Sequence, residues 1–272
     1  MIALSIQLVA RPRWTTAKCL FIATLTGGAF HTAVAQNIYS TGFEKPTFAA
    51  GLFLAGQDGW TAPPPLSPNA AIIAATKKPS FNSQTVRVEG TGLVPQDFIN
   101  DASGGYYDAI GSYRRTVNYD TGGTQTVRIS ADVRLDGKRT PHDNFFSASI
   151  SAIGVENNGD SSGIGELAIS SDGNVYGYSS QDLVPVFLAS AHVGLGKWHE
   201  LAIEVDFAER TYSFYVDDQW LGTFDFDPSA NTDILRRGSM ITYAAPDTAK
   251  NKKADHAANF DNFSIEVVAD GD

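Results

Sequence analysis

Lys197-Trp198-His199-Glu200 opens an alternating run, Leu201-Ala202-Ile203-Glu204-Val205-Asp206. After the polar break Ala208-Glu209-Arg210 a second run follows, Thr211-Tyr212-Ser213-Phe214-Tyr215-Val216, ended by Asp217-Asp218. Side chains of a strand point alternately to its two faces, so a period of two marks strands with one buried face. Two such runs around a short polar break predict a hairpin. Working outward, Gln125 to Leu135 alternates in the same way, with Val127, Ile129, Ala131, Val133 and Leu135 on one side. Asn259 to Val267 reads as the last strand and Asn37 to Phe43 as the first. Ser83–Glu89, Tyr113–Tyr119, Phe145–Ile153, Glu166–Ser170, Asn174–Tyr178, Val184–Leu188, Gln219–Phe224 and Ser239–Tyr243 fill in the rest. Ser171-Asp172-Gly173 is a turn signal between two of them. Ala62 to Pro68 holds four prolines and is no interior strand. No long helical pattern competes. About a dozen strands predict an all-β, antiparallel two-sheet jelly-roll sandwich.

The first 35 residues read as an export signal. Arg11, Arg13 and Lys18 form a basic leader, Cys19 to Phe30 is an apolar run, and Ala33-Val34-Ala35 is a small-x-small cleavage site. The alternative is a buried N-terminal helix. Residues 36–272 are then a single sandwich domain of 237 residues (272 − 35), secreted to the periplasm or beyond. The lone Cys19 begins the apolar run instead of ending it, so a lipid anchor is not expected, and the exported part has no cysteine for disulfides.

The formal charge is −10. Removing the leader's three basic residues takes it to −13 (−10 − 3). Such a surface repels phosphate backbones, so nucleic acid is excluded as a partner, and no later apolar run is long enough for a membrane span. A strongly anionic polysaccharide is disfavoured too, unless Arg and Lys gather in one groove.

The hairpin Trp198 to Asp206 and Tyr212-Ser213-Phe214-Tyr215-Val216-Asp217-Asp218-Gln219-Trp220-Leu221-Gly222 resembles the paired strands of concanavalin A-like lectin/glucanase domains. Laminin-G-like modules and laminarinase-type glycosidases share that pattern. Phe260-Asp261-Asn262-Phe263-Ser264-Ile265 resembles their terminal strand, and Gly42-Phe43-Glu44 their first. Gly56-Gln57-Asp58-Gly59-Trp60 looks like a segment of secreted bacterial proteins of this type. The resemblance implies a carbohydrate-binding sandwich with polysaccharide or glycan as partner, held on a concave sheet. A polysaccharide lyase or glycoside hydrolase on the same fold is the alternative, and a structural or adhesive surface protein a third. It also implies a calcium ion tying first and last strands together through Glu44 and Asp261, since calcium takes several hard oxygen ligands.

Candidate site residues follow from chemistry. Sugar rings stack their C–H faces on aromatic rings. Tyr106 and Tyr107 in a Gly-rich loop, and Tyr176 and Tyr178 on one strand face, are the expected exposed platform; Trp198 is expected in the core. Glu204, Asp206 and Glu209 match the Glu-x-Asp-x-x-Glu spacing of laminarinase-type enzymes, whose chemistry needs paired carboxylates. That motif falls inside the hairpin here, where the family's lies well upstream, which favours a solvated strand face and turn. His142, with Arg139 or Arg134 and a tyrosine, could supply the base and the cation a lyase needs; the alternative is an ordinary surface loop. The Gln-Ile-His and Tyr-Phe-Lys motifs of alginate-lyase-type sandwiches are absent, and no His-Glu-x-x-His occurs.

Overall fold

The computed structural model describes residues 35–62, 71–75, 84–90, 108–139, 146–156, 158–179, 185–227, 232–244 and 255–269. The expected leader lies outside them, save Ala35. No helix among the described residues is long and apolar enough to cross a membrane.

Fifteen strands occur among the described residues. They are β1 (Gln36–Thr41), β2 (Trp60–Thr61), β3 (Ala71–Ala75), β4 (Gln84–Glu89), β5 (Asp108–Asp120), β6 (Thr126–Asp136), β7 (Phe146–Val155) and β8 (Ser161–Ser170). After them come β9 (Asn174–Ser179), β10 (Pro185–His192), β11 (His199–Asp206), β12 (Thr211–Val216), β13 (Gln219–Asp225), β14 (Ile234–Ala244) and β15 (Ala257–Val267). Every pairing is antiparallel. An eight-stranded sheet runs β13-β12-β11-β6-β15-β4-β3, with β1 also on β15. A seven-stranded sheet runs β10-β9-β8-β7-β14-β5-β2. The two-sheet sandwich read from the sequence is the architecture found.

Alternation sets which face is inside. Val127, Ile129, Ala131, Val133 and Leu135 of β6 are all buried, as are Leu201, Ile203 and Val205 of β11 opposite them. The parity that sends Leu201 inward sends Trp198 outward, which corrects its expected place in the core. Trp198 is half-buried under the Arg134 guanidinium, 4.9 Å from the ring centre. Asp217 and Asp218, with φ of 50° and 61°, make the two-residue turn from β12 to β13. Positive φ at both central residues gives the primed turn whose twist matches a hairpin.

The first and last strands meet. Thr41 of β1 pairs with Phe263 of β15. Trp60 packs edge-on to Phe263 at 5.0 Å and against Phe43 at 5.8 Å. Its indole Nε1 donates to the Tyr39 hydroxyl (3.0 Å), which donates to Asp58 (2.7 Å). The Gly56–Trp60 segment folds back on itself through Gly56 N–H to Trp60 O at 2.8 Å, which is why it reads as a motif. Sequence reading missed β3, whose Ala-Ile-Ile-Ala-Ala has little contrast between its faces and becomes a strand by pairing with β4.

Candidate functional site

The outer faces of the two sheets differ in how their polar groups are used. On the eight-stranded sheet the charges neutralise one another. Arg128 reaches Glu204 at 2.9 Å, Glu200 at 3.0 Å and Asp218 at 3.3 Å. Arg134 and Arg87 both hold Asp136, at 2.9 and 3.0 Å. This places the Glu-x-Asp-x-x-Glu residues. Glu204 is bound by Arg128, Asp206 accepts from the N–H groups of Ala208 and Glu209 (both 2.9 Å), and Glu209 is exposed in the turn. Glu204 and Asp206 line one shallow hollow that Glu209 does not share.

The outer face of the seven-stranded sheet is built otherwise. Strand β7 alternates Phe146, Ala148, Ile150 and Ala152 into the core with Ser147, Ser149 and Ser151 outward. Register then lines up one residue from each of six strands. Tyr178 of β9 stands opposite Glu166 of β8, Glu166 opposite Ser151, Ser151 opposite Ser239 of β14, Ser239 opposite Arg114 of β5, and Arg114 opposite Thr61 of β2. With neighbouring strands about 4.8 Å apart, this row crosses about 24 Å of sheet. Along it runs a change of chemistry from aromatic, through acid and hydroxyl, to cation.

Glu166 sits in the middle of the face. Ser149 Oγ donates to one carboxyl oxygen at 2.6 Å and the Tyr243 hydroxyl to the other at 3.2 Å. The residue keeps a partly open surface, but protein surrounds the carboxyl, and this desolvation raises its pKa to about 7 against the pull of the two hydroxyls. Around it the Oγ atoms of Ser147, Ser151 and Ser170 are buried with no partner among the described residues, as is Arg237 Nε. Ser147, Ser151 and Ser170 are no more than 1% exposed, and buried atoms without a partner occur elsewhere in the fold too, at Tyr113, Thr242 and His256.

Arg114 and Arg237 occupy the other end. Gly238 turns its α-carbon toward Phe263 in the core, so Arg237 and Ser239 on either side face outward. Neither Arg114 nor Arg237 has a carboxylate partner among the described residues. Burial, then the charges of Arg114 and Arg236, lower the Arg237 pKa to about 10, and burial and Arg236 lower that of Arg114.

The other expected residues fall as follows. Tyr178 is half-buried in the row. Tyr176 shares its face but is only 7% exposed, its hydroxyl donating to Asp172 at 2.6 Å. The expectation of an exposed Tyr176 is therefore corrected: the Ser171-Asp172-Gly173 turn folds a carboxylate back over the phenol. Tyr106, Tyr107 and His142 lie outside the described residues. Arg139 is exposed and donates to the Asp172 carbonyl at 2.7 Å, while Arg134 is engaged by Asp136. Glu44, just past β1, accepts from Gln84 N–H at 2.9 Å. Asp261 is buried, accepts from Asn262 N–H at 2.8 Å and stands opposite Asp132. No cluster of three or more His, Cys, Asp or Glu side chains suited to a metal occurs among the described residues.

No protein-family model matches the chain, and no curated protein matches it. Solved structures do. A carbohydrate esterase of the Shiga toxin-encoding bacteriophage phi24B aligns with a TM-score of 0.55 at 12% identity, over 87% of this chain and 100% of its own. What the two share is the fold, a sandwich of antiparallel β-sheets. An endo-β-1,4-glucuronan lyase from the fungus Trichoderma reesei aligns at 0.49 and 10% identity, over 85% of this chain and 96% of its own. A sialidase aligns at 0.47 and 14% identity over 76% of this chain, which spans 17% of the sialidase's length.

Glu166, Tyr243, Arg114 and Arg237 were not singled out from the sequence. One local signal was present: Ser147-x-Ser149-x-Ser151 puts three hydroxyls on one face of a strand whose other face is apolar. The remaining members come from distant segments and meet only through register.

Proposed function

We propose that this protein is an exported carbohydrate-binding sandwich that takes a polysaccharide across the outer face of its seven-stranded sheet. The observation that carries the reading is the row from Tyr178 to Thr61, with orphaned hydroxyls beneath it. Tyr178 supplies a ring for stacking, and the serines and Glu166 supply acceptors and donors at the spacing of strands. Affinity electrophoresis against a panel of neutral and charged polysaccharides tests it. Retention on at least one polymer, weakened by Tyr178→Ala and by Ser151→Val, is expected. Retention on none, or retention indifferent to both variants, contradicts it. Export predicts a mature chain starting at Gln36, read by mass spectrometry of the secreted protein.

A second reading has its own support. Glu166, whose pKa burial raises to about 7 against the two hydroxyls that hold it, can give or take a proton at working pH, as general acid–base chemistry requires. If the protein is a carbohydrate-active enzyme, Glu166→Gln abolishes release of reducing ends while polymer retention survives.

A structural calcium at the junction of first and last strands completes the proposal. Asp261 and Asp132 face each other across β15 and β6, where like charges repel and a cation would relieve them. Asp261 and Glu44 would supply carboxylate oxygens and the backbone the remainder. Chelation should lower the melting temperature, and Asp261→Ala should remove that response; a curve unmoved by chelator contradicts the clamp.

A further inference from the structure

Arg114 and Arg237 stand out among the described arginines. Arg87, Arg128, Arg134 and Arg210 each hold a carboxylate. Arg115 lies over the Tyr39 ring, and Arg139 and Arg236 donate to backbone carbonyls. Arg114 and Arg237 do none of these. Arg237 is opposite Thr116 and Arg114 opposite Ser239, which makes them diagonal neighbours on one face. Such diagonal pairs lie about 7–8 Å apart at the backbone. Two half-buried cations at that separation repel, Arg236 adds to the repulsion, and no carboxylate among the described residues pairs with either. The chain as a whole carries −10, so this is a local reversal of sign on the face that also holds the orphaned serine hydroxyls.

We infer that the glycan taken by this face bears an oxyanion, carboxylate or sulfate, gripped by Arg114 and Arg237. The inference rests on the glycan-binding reading above and adds the class of ligand. A guanidinium presents parallel N–H groups that match the paired oxygens of either anion, and its charge is never lost at working pH. The buried Arg237 Nε gains its missing acceptor from the same group. Glu166 lies three strands from Arg114, about 14 Å along the row, and two from Arg237. The ligand is thereby oriented, with its anionic group at the arginine end and an uncharged ring against Tyr178.

The test is affinity electrophoresis of the full chain through gels of polygalacturonate, dextran sulfate and a neutral β-glucan, with Arg114→Gln and Arg237→Gln beside the parent. Each variant removes one of two mutually repelling cations, so both should melt no lower than the parent, which checks that they fold. Retention on polygalacturonate or dextran sulfate, weakened about tenfold or more by each variant and by raised salt, is the expected result. The polymer retained tells carboxylate from sulfate. Anionic retention indifferent to both variants overturns the inference. Retention on β-glucan alone, unchanged by either variant, also overturns it and leaves the glycan-binding reading standing. Retention on none of the three, with none on the wider panel, overturns that reading as well.

Discussion

Two buried or crowded titratable side chains, Glu166 and His256, give the protein opposing responses to pH. The Glu166 pKa is raised from 4.5 to about 7, chiefly by desolvation. A raised carboxyl favours the folded state while protonated, so its contribution is complete below 4.5 and is lost as pH climbs through about 7. His256 is fully buried and stacks on Phe146 at 5.8 Å. Burial lowers its pKa below the ordinary 6.5, outweighing the Asp136 backbone and the Asp255 charge. Its contribution is complete above 6.5 and is lost as pH falls through the lowered value. Melting temperature against pH should show both. Glu166→Gln should gain on the parent as pH rises from 4.5 to 7, and His256→Asn should lose the acid-side decline. Curves that run parallel to the parent's throughout contradict these assignments.

At the scale of the element, β14 is the strand on which sheet packing and site depend together. Gly238 faces inward, and a Cβ there would sit 2.7 Å from the Phe263 ring and 3.2 Å from Ile265. Overpacking of this kind costs about 1–3 kcal/mol. Gly238→Ala should therefore lower the denaturant midpoint, and it should also weaken glycan retention, because it displaces Arg237 and Ser239 on either side. An unchanged midpoint contradicts the packing described. Legibility in the sequence divides along the same line. The Val127 to Leu135 alternation and the Leu201–Val216 hairpin could be read because each strand carries its own contrast between faces. β3 could not, since alanine and isoleucine on both faces leave the partner strand to decide. The polar row from Tyr178 to Thr61 was illegible for a stronger reason. Tyr178, Glu166, Ser151, Ser239, Arg114 and Thr61 each contribute one polar residue at an unremarkable strand position, and only hydrogen-bond register assembles them. Glu-x-Asp-x-x-Glu drew the eye because its spacing is local. Those residues lie on the other sheet, where Arg128 and the turn engage the first two.

At the scale of the whole molecule, the sandwich closes where Tyr39, Phe43, Trp60 and Phe263 meet, joining first strand to last. Truncating one such buried aromatic costs about 3–5 kcal/mol. That is a large share of the roughly 5–15 kcal/mol that holds a domain folded. Phe263→Ala should thus shift the unfolding midpoint strongly with little change in its slope; a small shift would mean the closure is peripheral. The two outer faces of this sandwich divide the labour. On the eight-stranded sheet Arg87, Arg128 and Arg134 meet carboxylates, and what these pairs contribute is a modest stabilisation and solubility. On the seven-stranded sheet the hydroxyls of Ser147, Ser151 and Ser170 have no partner, and Arg114 and Arg237 no carboxylate, among the described residues, and the ligand is proposed to lie there. Hydrogen–deuterium exchange of the protein with and without a retained polysaccharide tests that assignment most directly. Protection should concentrate in β5, β7, β8 and β14 and leave β11, β12 and β13 unchanged; protection confined to the eight-stranded sheet would contradict it.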